Sequence, residues 1–145
     1  MDYRQPVEKR LLASNIAEEK CEEYLNTVKG LHWSRFGFDE TNNNVPFVQF
    51  RKVPELIRNA PDYVCIASKP FFIEAKGFKD GLKIKEADLK SYSYWNSIMD
   101  LYFFAYDCHR EKFHKLPYSY ILKVLPVSGY AKYKDNNKQY FIIDL

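Results

Sequence analysis

Pro61-Asp62 and, twelve residues beyond Asp62, Glu74-Ala75-Lys76 are the part of this 145-residue chain whose side chains could do chemistry together. Glu74 and Lys76 close an apolar run, Phe71-Phe72-Ile73. In a strand they point to one face while Ala75 points to the other, because side chains alternate with period two. Charges at the end of a core segment are unusual, since burying one is costly unless it is paired. Asp62, Glu74 and the Ala75 carbonyl make a set of hard oxygen donors suited to Mg²⁺, with Mn²⁺ as a substitute. A water on such an ion can act as nucleophile, and Lys76 can lower its pKa, orient it or neutralise charge building on phosphorus. The chemistry implied is metal-assisted phosphodiester hydrolysis.

Context singles out this triplet more than its spacing does. Acid-any-Lys triplets should arise about twice by chance at this composition. Three occur: Glu18-Glu19-Lys20, Glu74-Ala75-Lys76 and Asp88-Leu89-Lys90. Only the middle one ends a strand-like run with an acid upstream across a predicted hairpin. Without chemistry, Asp62 would merely end a turn, and Glu74 with Lys76 would be an exposed pair worth under ~1 kcal/mol.

The elements that must position these residues follow from periodicity. Ile16, Ala17, Cys21, Tyr24, Leu25 and Val28 recur at helical spacing from about Asn15 to Lys29, with Ser14 or Asn15 as cap and Gly30 as stop. LHWSRFGF reads as a strand and DETNNN (39–44) as a polar loop. Phe47, Val48 and Phe50 read as a short strand, and PELIR as one helical turn started by Pro54. YVCIA (63–67) and FFIEA (71–75) flank Ser68, Lys69 and Pro70 as a hairpin. Glu86 to Met99 returns to helical spacing, and LYFFAY (101–106) is the continuous apolar run of a strand buried on both faces. SYILKVL, YAKYK and QYFIIDL add strands, the last two as a hairpin around Asp135, Asn136 and Asn137. The order predicts an α/β fold with a mixed sheet in one domain spanning 1–145.

Pro61-Asp62 with Glu74-Ala75-Lys76 resembles the namesake motif of the PD-(D/E)XK nuclease superfamily, and the element order is similar to that family's core. Ala17-Glu18, Leu25 and Gly30 resemble the first helix of archaeal-type Holliday-junction resolvases and related small nucleases. The resemblance covers about residues 14–106 and implies a restriction-endonuclease-like αβββαβ core, here with an extra C-terminal β-hairpin. It also implies a Mg²⁺-dependent DNA endonuclease with Asp62, Glu74 and Ala75 on the metal, Lys76 beside it and Glu18 assisting from the first helix. Glu19 and Glu22 are close enough in sequence to replace Glu18. The family commonly adds a polar residue from the following helix, for which Lys85, Asp88 and Lys90 are candidates, with Lys90 placed to meet a phosphate and Tyr92 and Trp95 packing inward.

Composition bounds the rest. A hydrophobic fraction of 46% with 28% charged residues belongs to a folding chain rather than a disordered one. Nothing approaches the ~18–20 apolar residues of a membrane span, and the charged start is unlike a secretory signal, so a soluble, cytoplasmic protein is expected. Cys21, Cys65 and Cys108 are odd in number and widely spaced, which points to reduced thiols rather than a disulfide framework or a zinc knuckle. From His109 to Lys138 seven cations face two acids, interleaved with tyrosines, so residues 109–145 form a basic extension. Lys123, Lys132, Lys134 and Lys138 are the candidates to follow a DNA backbone, whether duplex, branched or a single-stranded end. A solvated sheet face is the plainer reading of that extension. A homodimer is expected, because one active site per chain must pair to cut two strands symmetrically. The alternative to catalysis is a silent nucleic-acid-binding or protein-interaction module on the same fold.

Overall fold

The computed structural model describes residues 7–38, 45–132 and 138–145, with side chains of the first helix described from Ala13 onward. Helix α1 spans Val7–Thr27. It starts about two turns before the predicted Asn15, because nothing between Val7 and Ser14 is a Gly or Pro that would stop it. Its end is where expected, at Gly30 with φ 78°, a conformation that favours glycine.

Strands β1 (His32–Arg35), β2 (Tyr63–Ile66) and β3 (Pro70–Phe78) form an antiparallel series. Strand β4 (Leu82–Lys85), a 3₁₀ turn at Glu86–Asp88 and helix α4 (Leu89–Ile98) then cross to β5 (Leu101–Asp107), which runs parallel to β3. Parallel neighbours need such a crossover. With β6 (Lys112–Pro117) added antiparallel to β5, the main sheet is mixed and five-stranded, in the order β1-β2-β3-β5-β6. Strands β7 (Gly129–Lys132) and β8 (Gln139–Ile143) form the expected C-terminal hairpin and join β4 in a second, antiparallel sheet ordered β4-β8-β7.

Alternation along β3 splits the core in two. Ile73 and Ala75 pack with Ala17, Cys21, Leu25, Tyr63, Cys65 and Phe104 beneath α1. Phe72 and Phe78 face the other way, against Tyr92, Trp95, Phe103, Ile84 and Ile143 beneath α4 and the small sheet. LYFFAY is buried on both faces, as its unbroken apolar run predicts.

Four local readings are corrected. Phe47–Phe50 is a short helix, α2, rather than a strand, because Phe47, Phe50 and Arg51 share a helical face on which Phe50 stacks against Phe38 with ring centres 5.0 Å apart. SYILKVL is helical, as α5 (Tyr118–Val124), because Tyr118, Ile121 and Leu125, not alternate residues, are its buried positions. Strands β4 and β6 were not foreseen. Both are short and carry lysines between their apolar residues; β4 pairs with the distant β8, and β6 folds back on β5 through a tight turn. PELIR is the single turn expected, α3 (Glu55–Arg58), preceded by Pro54. The 39–44 loop and the 135–137 turn lie outside the described residues.

Candidate active site

The β2–β3 pairing sets the geometry. Tyr63 is opposite Ile73 and Val64 opposite Phe72, so one step further places Asp62 opposite Glu74. Asp62 Oδ2 accepts the Ala75 amide at 2.8 Å, fixing its carboxylate against the middle of β3, where the pairing with β2 stops. A strand residue sends its N–H and C=O out on one edge, so the Ala75 carbonyl leaves on the side where Asp62 stands. Glu74 and Lys76 occupy the same face as Phe72 and Phe78, toward α4.

Glu74 lies against Asp62 closely enough for the two carboxyls to hydrogen-bond. Burial raises the Glu74 pKa well above the carboxylate range, the neighbouring Asp62 charge raises it further, and Lys76 opposes both. Two carboxyls this close disfavour ionisation of the buried one. Lys76 bonds the Tyr92 hydroxyl, and its Nζ lies 5.7 Å from the centre of that ring. Burial acts against a charged lysine there, but Tyr92 and the carboxylates of Glu74 and Asp88 outweigh it and raise the lysine pKa. Burial also raises the Tyr92 hydroxyl, against the opposing effect of Lys76. At neutral pH Lys76 is therefore an ammonium that donates to the oxygen of a neutral Tyr92 hydroxyl.

These groups line a cleft of about 810 Å³. Glu18 of α1 reaches the same cleft and is 8% exposed. Its carboxylate lies 3.5 Å from Arg35 Nη2, while Glu22 takes the shorter ion pair to Arg35, at 2.9 Å, and the Tyr63 hydroxyl at 2.7 Å. Glu19 and Glu22 do not line the cleft. Of the three alternatives on α1, Glu18 is the one that lines the cleft.

Beyond α1, Lys85 and Asp88 line the cleft, and Asn59 Nδ2 donates to Asp88 Oδ1 at 3.3 Å. Lys138 lines it as well. Lys90, Lys123 and Lys132 are exposed on α4, α5 and β7 away from the cleft, and Lys134 lies outside the described residues. Arg51, Arg58 and Phe47, from the segment between β1 and β2, line the cleft too. Their signal was the Phe47–Arg51 spacing of four, which brings two side chains together only on a helix. Tyr92, expected simply to pack inward, also touches Lys76.

Among the described residues no three His, Cys, Asp or Glu groups are tight enough to cage a metal ion. A cation here would rely on two carboxylates, one backbone carbonyl and water, a sparse protein ligation that Mg²⁺ commonly has. The Asp62–Glu74 pair fits that demand, because a cation between the two carboxyls would offset the repulsion and burial that disfavour the Glu74 carboxylate. The thiols offer no competing chemistry: Cys21 and Cys65 are buried, and burial pushes Cys65 up to about 11.

The chain matches no family model, no curated protein and no solved structure. Among the described residues no helix is long and apolar enough to cross a membrane.

Proposed function

We propose that this protein is a metal-dependent DNA endonuclease on a restriction-endonuclease-like αβββαβ core, hydrolysing phosphodiesters of duplex, branched or single-stranded DNA. The observation that carries the reading is the convergence of Asp62, Glu74 and Lys76 where β2 meets the middle of β3, with Glu18 in the same cleft. Asp62, Glu74 and the Ala75 carbonyl would hold Mg²⁺ or Mn²⁺, which supplies an activated water and draws charge from the phosphate oxygens when bound. Lys76, protonated, has no lone pair with which to take a proton from water. Its part is to orient the nucleophile or stabilise the negative charge that grows on the phosphate. Tyr92 holds that ammonium in place from α4. Glu18, partly neutralised by Arg35, adds a hydrogen-bond acceptor from α1 without a full extra charge. Lys90, Lys123, Lys132, Lys134 and Lys138 would serve the DNA backbone, and a homodimer would set two clefts on the two strands.

The absence of a third close acid among the described residues favours one other reading, a nucleic-acid-binding module without catalysis. A panel of labelled DNA structures, four-way junction included, incubated with Mg²⁺, Mn²⁺ or EDTA separates the two. Cleavage is expected with either metal and none with EDTA. Asp62→Asn and Glu74→Gln should each lose it by orders of magnitude while still binding DNA, and near wild-type cutting by either folded variant would overturn the site. Ca²⁺ should support binding but not efficient cleavage.

A further inference from the structure

The wall built by residues 47–58 has no part in the acid chemistry, yet it lines the same cleft. On α2, Phe50 is buried against Phe38, which pins the helix and leaves its neighbours on that face turned to the opening. Phe47 is 59% exposed there, and the Arg51 guanidinium lies 5.8 Å from the centre of its ring. Arg58 is anchored alongside, its Nε donating to the Val53 carbonyl at 2.9 Å. What sets this ring apart from the other exposed apolar side chains is its place beside two arginines in a cleft whose floor is acidic.

Two features name the ligand's chemistry. Exposed aromatic rings beside cations are the platform on which unpaired bases stack while their phosphates are neutralised. A volume of about 810 Å³ falls in the range of about 300–1,000 Å³ of sites that take small organic ligands, with room for a nucleotide. The bases of a closed duplex are stacked on one another and present no free face to Phe47. Building on the nuclease reading, we infer that Phe47 and Arg51 form a subsite for one unpaired nucleotide beside the acids, so that the cleft takes a single nucleic-acid strand in preference to a blunt duplex.

The test is fluorescence anisotropy of the full chain in EDTA with labelled oligothymidylate, labelled oligouridylate and a blunt DNA duplex, with cleavage in Mg²⁺ measured separately. At least one single strand should bind more tightly than the duplex, the thymidylate and uridylate arms telling deoxyribose from ribose. Phe47→Ala should weaken that binding about 5- to 150-fold, the loss of one base–aromatic stack, and Phe47→Trp should retain it. Arg51→Gln should flatten the salt dependence on the single strand by about 0.7. Thermal unfolding of Phe47→Ala should match wild type, because the ring is exposed. Duplex binding as tight as the tighter of the two single strands, or Phe47→Ala binding that strand as wild type does, overturns the inference. If that happens with cleavage intact, the nuclease stands without this subsite. If Phe47 dependence persists and nothing is cleaved, the nuclease reading falls and a strand-binding cleft remains.

Discussion

Glu74 and Lys76 sit two residues apart on one strand and are driven in the same direction, each toward its protonated form. For Glu74 this has a consequence for stability. Its folded pKa lies above the usual 4.5, so below 4.5 both folded and unfolded chains hold the proton and pH has no effect through this group. Between 4.5 and the raised folded value the unfolded chain releases the proton while the folded chain keeps it, so stability is lost as pH rises through that window. Metal-free protein should therefore melt at progressively lower temperature as pH climbs above the ordinary carboxylate range. Glu74→Gln should flatten that slope, and Mg²⁺ should raise the melting temperature most at the alkaline end, where no proton has to be displaced. Differential scanning calorimetry in EDTA and in Mg²⁺ across this range checks the sign; a slope that Glu74→Gln leaves unchanged would assign it to other groups.

The contact of α1 with β3 places Glu18 near the acids of the sheet, and it depends on Gly77. A Cβ there would collide with the carbonyl of Ala13 on α1, backbone against backbone, so the neighbour cannot swing aside. Gly77→Ala should cost about 1–3 kcal/mol, the range for overpacking a close-packed contact, and should lower cleavage as well by moving α1 away from the sheet. Urea denaturation with a parallel assay tests this, and wild-type stability would mean that the helix shifts freely. The β5–β6 turn is held differently. Buried Asp107 accepts the amides of His109 and Arg110 at 2.9 and 3.0 Å, while Glu111 takes a left-handed φ of 55°. That turn contains neither Gly nor Pro, which is why β6 was not legible in advance.

Charge is arranged so that acids lie inside the cleft and cations around it. Strands β4 and β8 pair with Lys85 opposite Tyr140, and Lys85 and Lys138 both reach the cleft from that small sheet. The hairpin thereby carries part of the basic extension to the opening. A Lys132→Ala, Lys134→Ala, Lys138→Ala variant should bind more weakly across all sequences. Its plot of log affinity against log salt should flatten by about 0.9 per lost contact on duplex and 0.7 on single strands. Turnover at saturating DNA should change little. Titrations at several salt concentrations decide the matter; an unchanged slope would leave the hairpin a structural extension of the sheet.

What was legible from residue order was everything that local periodicity and motif chemistry encode. The α1 register, the β2–β3 hairpin, the doubly buried β5 and the Asp62, Glu74 and Lys76 set all lie within short stretches whose apolar pattern specifies the element. Tertiary structure decided what depends on partners distant in sequence. Glu18 was separated from Glu22 by Arg35 and Tyr63, residues 17 and 45 positions away from it. Phe47 and Arg51 became a cleft wall only because Phe38 pins Phe50 and converts a β-prone run into a helical turn. Lys85 and Lys138 reached one cleft through the pairing of the four-residue β4 with β8, more than fifty residues away. The physical reason is the same in each case: a side chain's face is set locally, whereas its neighbours across the fold are set by packing energies summed over the whole chain.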